Sequence, residues 1–132
     1  MNTMRYLTEE EFKITSRFLF LSMAIVVLQK DLQHIENGAF KIKEPYIKLL
    51  RHMDSLAKNE RKNLRSQMRK GKLDVVFIQK NDTFSTYLFI ARGYEEERRY
   101  FNPAVRKKVE NIYQELMIEA LKDHARFLSE AY

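Results

Sequence analysis

The chain has 132 residues, enough for one domain over residues 1–132 that buries a core without cross-links or metal. It has no cysteine, which excludes thiol catalysis, cysteine-held zinc and a disulfide framework, and which suits a reducing cytoplasm. The net charge of +6 has one source: Lys58 to Lys72 carries seven basic residues against one acid, and the two signs balance over the rest of the chain.

In chain order, Thr8-x-x-Glu11 is a capping box and predicts a first helix from about Glu9 to Glu36, stopped by Asn37-Gly38. Between Arg17 and Lys30 its middle is apolar at every position from Phe18 to Leu28 except Ser22. Apolar residues around the whole circumference predict a helix buried on all sides. The run holds roughly a dozen apolar residues, against the 18 or more that spanning a bilayer takes. Its flanks, Thr8-Glu9-Glu10-Glu11 and Gln29 to His34, do not fit a secretory signal either, so no membrane partner is expected.

Glu44-Pro45 opens a second helix, since proline suits the first helical position. Tyr46, Leu49, Leu50, Met53, Leu56 and Ala57 recur at three and four residues and mark its buried face. Beyond Lys58 only Leu64 and Met68 continue that stripe. The helix either runs on as a basic rod or breaks at Asn59, a fitting N-cap, and restarts as a third helix; Gly71 ends it in both cases.

From Leu73 the composition changes. Val75 to Ile78 and Phe84 to Ile90 are rich in β-branched and aromatic residues and predict a hairpin turning at Asn81-Asp82. Consecutive apolar residues (Phe77 and Ile78; Leu88 and Phe89) predict cover on both faces. Tyr94 to Phe101 reads as a charged connector or a short third strand. Asn102-Pro103 begins a last helix to about Ser129, with the stripe Val105, Val109, Ile112, Tyr113, Leu116, Met117, Ala120, Leu121, Phe127 and Leu128. The expected class is α+β, mostly helical, in the order α-α-(α)-β-β-α. Six methionines and nine phenylalanines are much apolar surface for so short a chain, which points to a homodimer through the last helix or the hairpin edge.

Nothing in the chain points to an enzyme. His34, His52 and His124 fall on three different predicted helices and in no metal motif. Asp31 lies one turn from His34, and Glu119 and Asp123 lie near His124, but such spacings arise by chance, and no metal or cofactor is expected. Gly38, Gly71 and Gly93 sit where elements end, so none belongs to a phosphate-cradling loop. Glu95-Glu96-Glu97 is followed at once by Arg98-Arg99 and reads as self-neutralising.

The basic segment is the remaining candidate. On a helix, Lys58, Arg61, Lys62, Arg65 and Arg69 fall at three- and four-residue intervals around the outward side, with Lys70 and Lys72 following. That is the footprint of a phosphate-binding helix, and Asn63 and Gln67 are side chains that can read base edges. A basic helix leading into a hairpin resembles winged-helix regulators, in which a hairpin wing follows the recognition helix. The resemblance is one of element order alone: here the first helix is longer, the turn before the third helix lacks a glycine, and the hairpin is more apolar. The sequence therefore leads to a non-enzymatic nucleic-acid-binding protein, DNA being the expected ligand. The alternatives are a module whose basic helix or apolar hairpin docks an acidic protein, and a face that is only solvated.

Overall fold

The computed structural model describes the backbone of residues 6–131 and the side chains of residues 6–126. Thr8 opens α1 (Glu9–Glu36): its hydroxyl accepts from the Glu11 N–H at 3.1 Å, and the Glu11 carboxylate accepts from the Thr8 N–H at 3.0 Å. Along α1, Phe20, Leu21, Ala24 and Leu28 pack against Leu50, Met53 and Ala57 of α2 (Glu44–Gly71) and against Ile112, Leu116 and Ala120 of α3 (Asn102–Ala131). This three-helix contact is the first of two cores.

The apolar run of α1 is not buried all round, as its sequence suggests. Val26 is 51% exposed and Val27 40%. The sheet packs only against the first half of the helix, from Phe12 to Met23; beyond that, two helices flank α1 and one side stays open. Thr15 is fully buried, and its hydroxyl meets no hydrogen-bond partner among the described residues. An unpaired buried hydroxyl destabilises, and valine has the same shape without it. Thr15→Val is therefore expected to raise stability by about 1 kcal/mol in a urea titration; a loss of stability would show that the hydroxyl is satisfied.

α2 is one unbroken helix of 28 residues, so the restart at Asn59 is not used. Asn59 faces solvent, while Ala57, Leu64 and Met68 keep the buried stripe continuous past it. The helix runs through Gly71, and Lys72 takes the left-handed conformation that closes it (φ 53°, ψ 47°). Gly71 has a different task. A Cβ there would lie 3.2 Å from Leu73 Cγ, so the missing side chain lets Leu73 fold back into the core.

β1 (Leu73–Lys80), β2 (Phe84–Ala91) and β3 (Tyr94–Phe101) form an antiparallel sheet in that order. Asn81 Oδ1 holds the first turn by accepting from the N–H groups of Thr83 (2.8 Å) and Phe84 (2.7 Å). Arg92 and Gly93, both at positive φ, make the second turn. The segment YEEERRYF is thus a full third strand. Its charges permit this because residues two apart share a face: Arg98 donates to Glu96 at 2.7 Å and lies 4.4 Å over the Phe12 ring of α1. Inward charges are neutralised in place.

Met68, Leu73, Tyr87, Phe89 and Ala91, with Leu7, build the second core between the sheet and the helices. Even the central strand β2 has one buried face, Ser85, Tyr87, Phe89 and Ala91, while on the other Phe84, Leu88 and Ile90 are only half-buried. On β1, Val76 (39%), Phe77 (58%) and Ile78 (47%) are exposed, because the helices reach one face of the sheet and mainly its Leu73 end. Asn102 donates through Nδ2 to the Asn81 carbonyl (2.8 Å) and accepts from Ser85 Oγ (2.6 Å), so its side chain binds the start of α3 to the first turn. Leu121, predicted inward, is exposed; Phe127 and Leu128 lie outside the described side chains.

The result is an α+β fold, mostly helical, in the order α-α-β-β-β-α. Among the described residues, no helix is long and apolar enough to cross a membrane.

Candidate functional site

The basic residues of α2 divide into two sets with different surroundings. Arg61 and Arg65 lean back onto α1. The Arg61 guanidinium lies 5.0 Å from the Phe18 ring centre and donates from Nε to Ser22 Oγ at 2.8 Å. Arg65 sits 5.4 Å from the same ring and 3.4 Å from Asp74 at the start of β1. Lys58 pairs with Asp54 one turn earlier at 2.7 Å. These three are largely engaged in holding elements together.

Lys62, Arg69, Lys70 and Lys72 are exposed and form no ion pair among the described residues. At 3.6 residues per turn, Lys62, Ser66 and Arg69 lie within roughly 60° of one another on the helix, and Lys70 adjoins them. Asn63 and Gln67 are exposed too, but are turned roughly 100° and 140° away from Lys62. The base-reading side chains therefore adjoin Lys70, within roughly 20° and 60° of it, and lie away from Lys62 and Arg69. Met68, fully buried beneath this turn, and half-buried Leu64 fix the array to the core. Arg69 and Lys70 also occupy the last turn, where positive charge offsets the partial negative charge of the helix end.

Two other groupings could carry chemistry. Asp31 does not turn to His34; it accepts from the Tyr113 hydroxyl at 2.8 Å. Burial first, and then this bond, raises the Tyr113 phenol well above its ordinary value. The pair lines a cleft of about 560 Å³ with Met23, Val27, Lys80 and Arg106. A second cleft of about 730 Å³ separates the start of α2 from α3; there His52 Nε2 lies 2.9 Å from Asp123, which the sequence placed with His124. Among the described residues, no three histidines or carboxylates converge on a common point.

A half-buried ion cluster went unforeseen in the sequence. Arg17 of α1 donates to Glu60 of α2 through Nε (2.6 Å) and Nη2 (3.1 Å), and to Glu115 of α3 through Nη1 (2.8 Å). Nearer the start of α1, Arg92 donates to both oxygens of Glu11 (2.7 and 3.2 Å) and to the Gly71 and Tyr6 carbonyls. The Arg92 hydrogen bond, followed by the Thr8 N–H, lowers the Glu11 carboxyl below its ordinary value. Only the charge of Arg17 beside an apolar run was visible in advance; its partners are 43 and 98 residues away.

A family model described as YhjD protein matches residues 6–121, which reach into all six elements. A Bacillus subtilis (strain 168) protein with the printed name "Uncharacterized protein YhjD" is 36% identical over 106 residues, covering 80% of this chain and 88% of that protein. No solved structure matches.

Proposed function

The chain belongs to the YhjD protein family, and from that premise we propose that it is a small non-enzymatic nucleic-acid-binding accessory protein of the cytoplasm. One observation carries the reading: Lys62, Arg69 and Lys70, exposed on a helix pinned to the core, and Lys72 just past its end form no ion pair among the described residues. Fixed cations that lack protein partners release counterions when they meet phosphates. Asn63 and Gln67 stand beside Lys70 but away from Lys62 and Arg69, so most of the contact is with the backbone of the nucleic acid and base readout is confined to the Lys70 side. DNA is the first ligand to try.

A second reading, an acidic protein docked on the same four cations, draws on the same exposed charges, of which Lys62 and Arg69 have no base-reading side chain beside them. Fluorescence anisotropy of labelled duplex and single-stranded DNA and RNA, titrated at several salt concentrations, separates the two. With three to four phosphates engaged, log affinity should fall against log salt with a slope of about −3 on duplex, and Lys62→Ala and Lys70→Ala should each flatten it by about one. Lys62→Ala should leave the melting temperature unchanged, and Lys70→Ala should lower it only by the small contribution of its charge at the helix end. No binding to any of these ligands at about 50 mM salt overturns the nucleic-acid reading. Capture of an acidic protein that survives nuclease treatment and is lost in the same variants supports the second.

A further inference from the structure

The open side of α1 has a definite shape. Met23, Val27 and Asp31 recur every fourth residue on α1, and Val105, Val109 and Tyr113 do so on α3. The two stripes line the cleft of about 560 Å³, within the roughly 300–1,000 Å³ of small-molecule sites. They meet where the Tyr113 hydroxyl donates to Asp31 at 2.8 Å. Toward the sheet the lining turns polar. Lys80 pairs with Ser85 across β1 and β2, Ser85 donates to Asn102 at 2.6 Å, and Arg106 stands one helical turn beyond Asn102. Lys80 and Arg106 are exposed and form no ion pair among the described residues.

We propose that this cleft binds a medium-chain carboxylate, with its apolar chain over Val27 and Val109 and its carboxylate between Lys80 and Arg106. Charge complementarity selects an anion. The two acids of the lining are engaged elsewhere: Asp31 accepts from Tyr113, and Glu110, 54% exposed, lies 3.9 Å from Lys107. Cations without partners are therefore left on the sheet side of the cleft alone. The floor selects a chain behind that charge, because Val27 is exposed in the apolar run of α1 and covering it takes apolar surface out of water. The bonds of Asn102 to Ser85 and to the Asn81 carbonyl hold the cationic end in place, so the site is largely pre-formed.

The inference does not depend on what α2 binds. Methionine-methyl NMR reads it directly, because Met23 lines the cleft while Met53 and Met68 are fully buried in the two cores. Octanoate at low millimolar concentration should move the Met23 resonance to saturation and leave those of Met53 and Met68 in place. Octylammonium, with the same chain and the opposite charge, and acetate, with the charge and no chain, should leave Met23 unmoved. Lys80→Gln and Arg106→Gln should each weaken octanoate binding about threefold and together about tenfold, as for partly exposed ion pairs, with an unchanged circular dichroism spectrum. No Met23 response to octanoate, an equal response to octylammonium or acetate, or undiminished octanoate binding in the double variant overturns the proposal.

Discussion

Phe89→Ala is expected to reduce the free energy of unfolding by about 3–5 kcal/mol, the range for a buried phenylalanine whose site collapses only partly. For a chain of this size that lowers the melting temperature by about 10–20 °C. Phe89 lies on the buried central strand, is fully enclosed, and stacks on Phe12 of α1 with ring centres 5.3 Å apart. Among the described residues it is the largest fully buried side chain, and it joins the sheet to the helices. Phe89→Leu, which keeps most of the volume, should show less than half the effect. If the alanine variant does not fold at all, the leucine variant still carries the comparison. A loss below about 1 kcal/mol for alanine would mean that the sheet is not held through this ring.

The second large effect is expected at Arg17. Replacing it by methionine keeps the packed stem and removes the charge, leaving Glu60 and Glu115 without the guanidinium they share. Hydrogen bonds to charged groups stabilise by about 1.5–3 kcal/mol when sheltered; partial exposure of all three side chains screens this to about 2 kcal/mol in total. Thermal unfolding of Arg17→Met should shift down by about 5–10 °C. Adding Glu60→Gln to it should recover part of the loss, since one unpaired carboxylate is removed. Strictly additive effects would show that the two side chains are not coupled.

How much of this was legible in the sequence depended on how local each signal is. Both ends of α1 were readable because Thr8 with Glu11 and Asn37 with Gly38 act within a few residues of themselves. The strands β1 and β2 announced themselves by composition. β3 left its class open, because its charges look solvated until Arg98 is seen to pair with Glu96 and to lie over a phenylalanine 86 residues earlier. Val26 and Val27 were read as buried since a run of apolar residues reveals hydrophobicity but not how far a neighbouring sheet extends. In the basic segment the charges were plain, but not their division. Whether an arginine is free or engaged is decided by Phe18, Ser22 and Asp74, none of them on α2.

The continuity of α2 past Asn59 bears on the entropy of binding. A flexible basic tail of the same composition would have to order its backbone on a ligand, at about 1–2 kcal/mol per residue. Here the backbone from Lys62 to Gly71 is already helical, and Met68 anchors it from below. Only side-chain rotamers remain to be lost, at about 0.5–1.5 kcal/mol for each cation immobilised. On the proposed reading, three charges on a rigid rod, with Lys72 just past its end, lose less entropy on a polyanion than the same charges on a loose chain would.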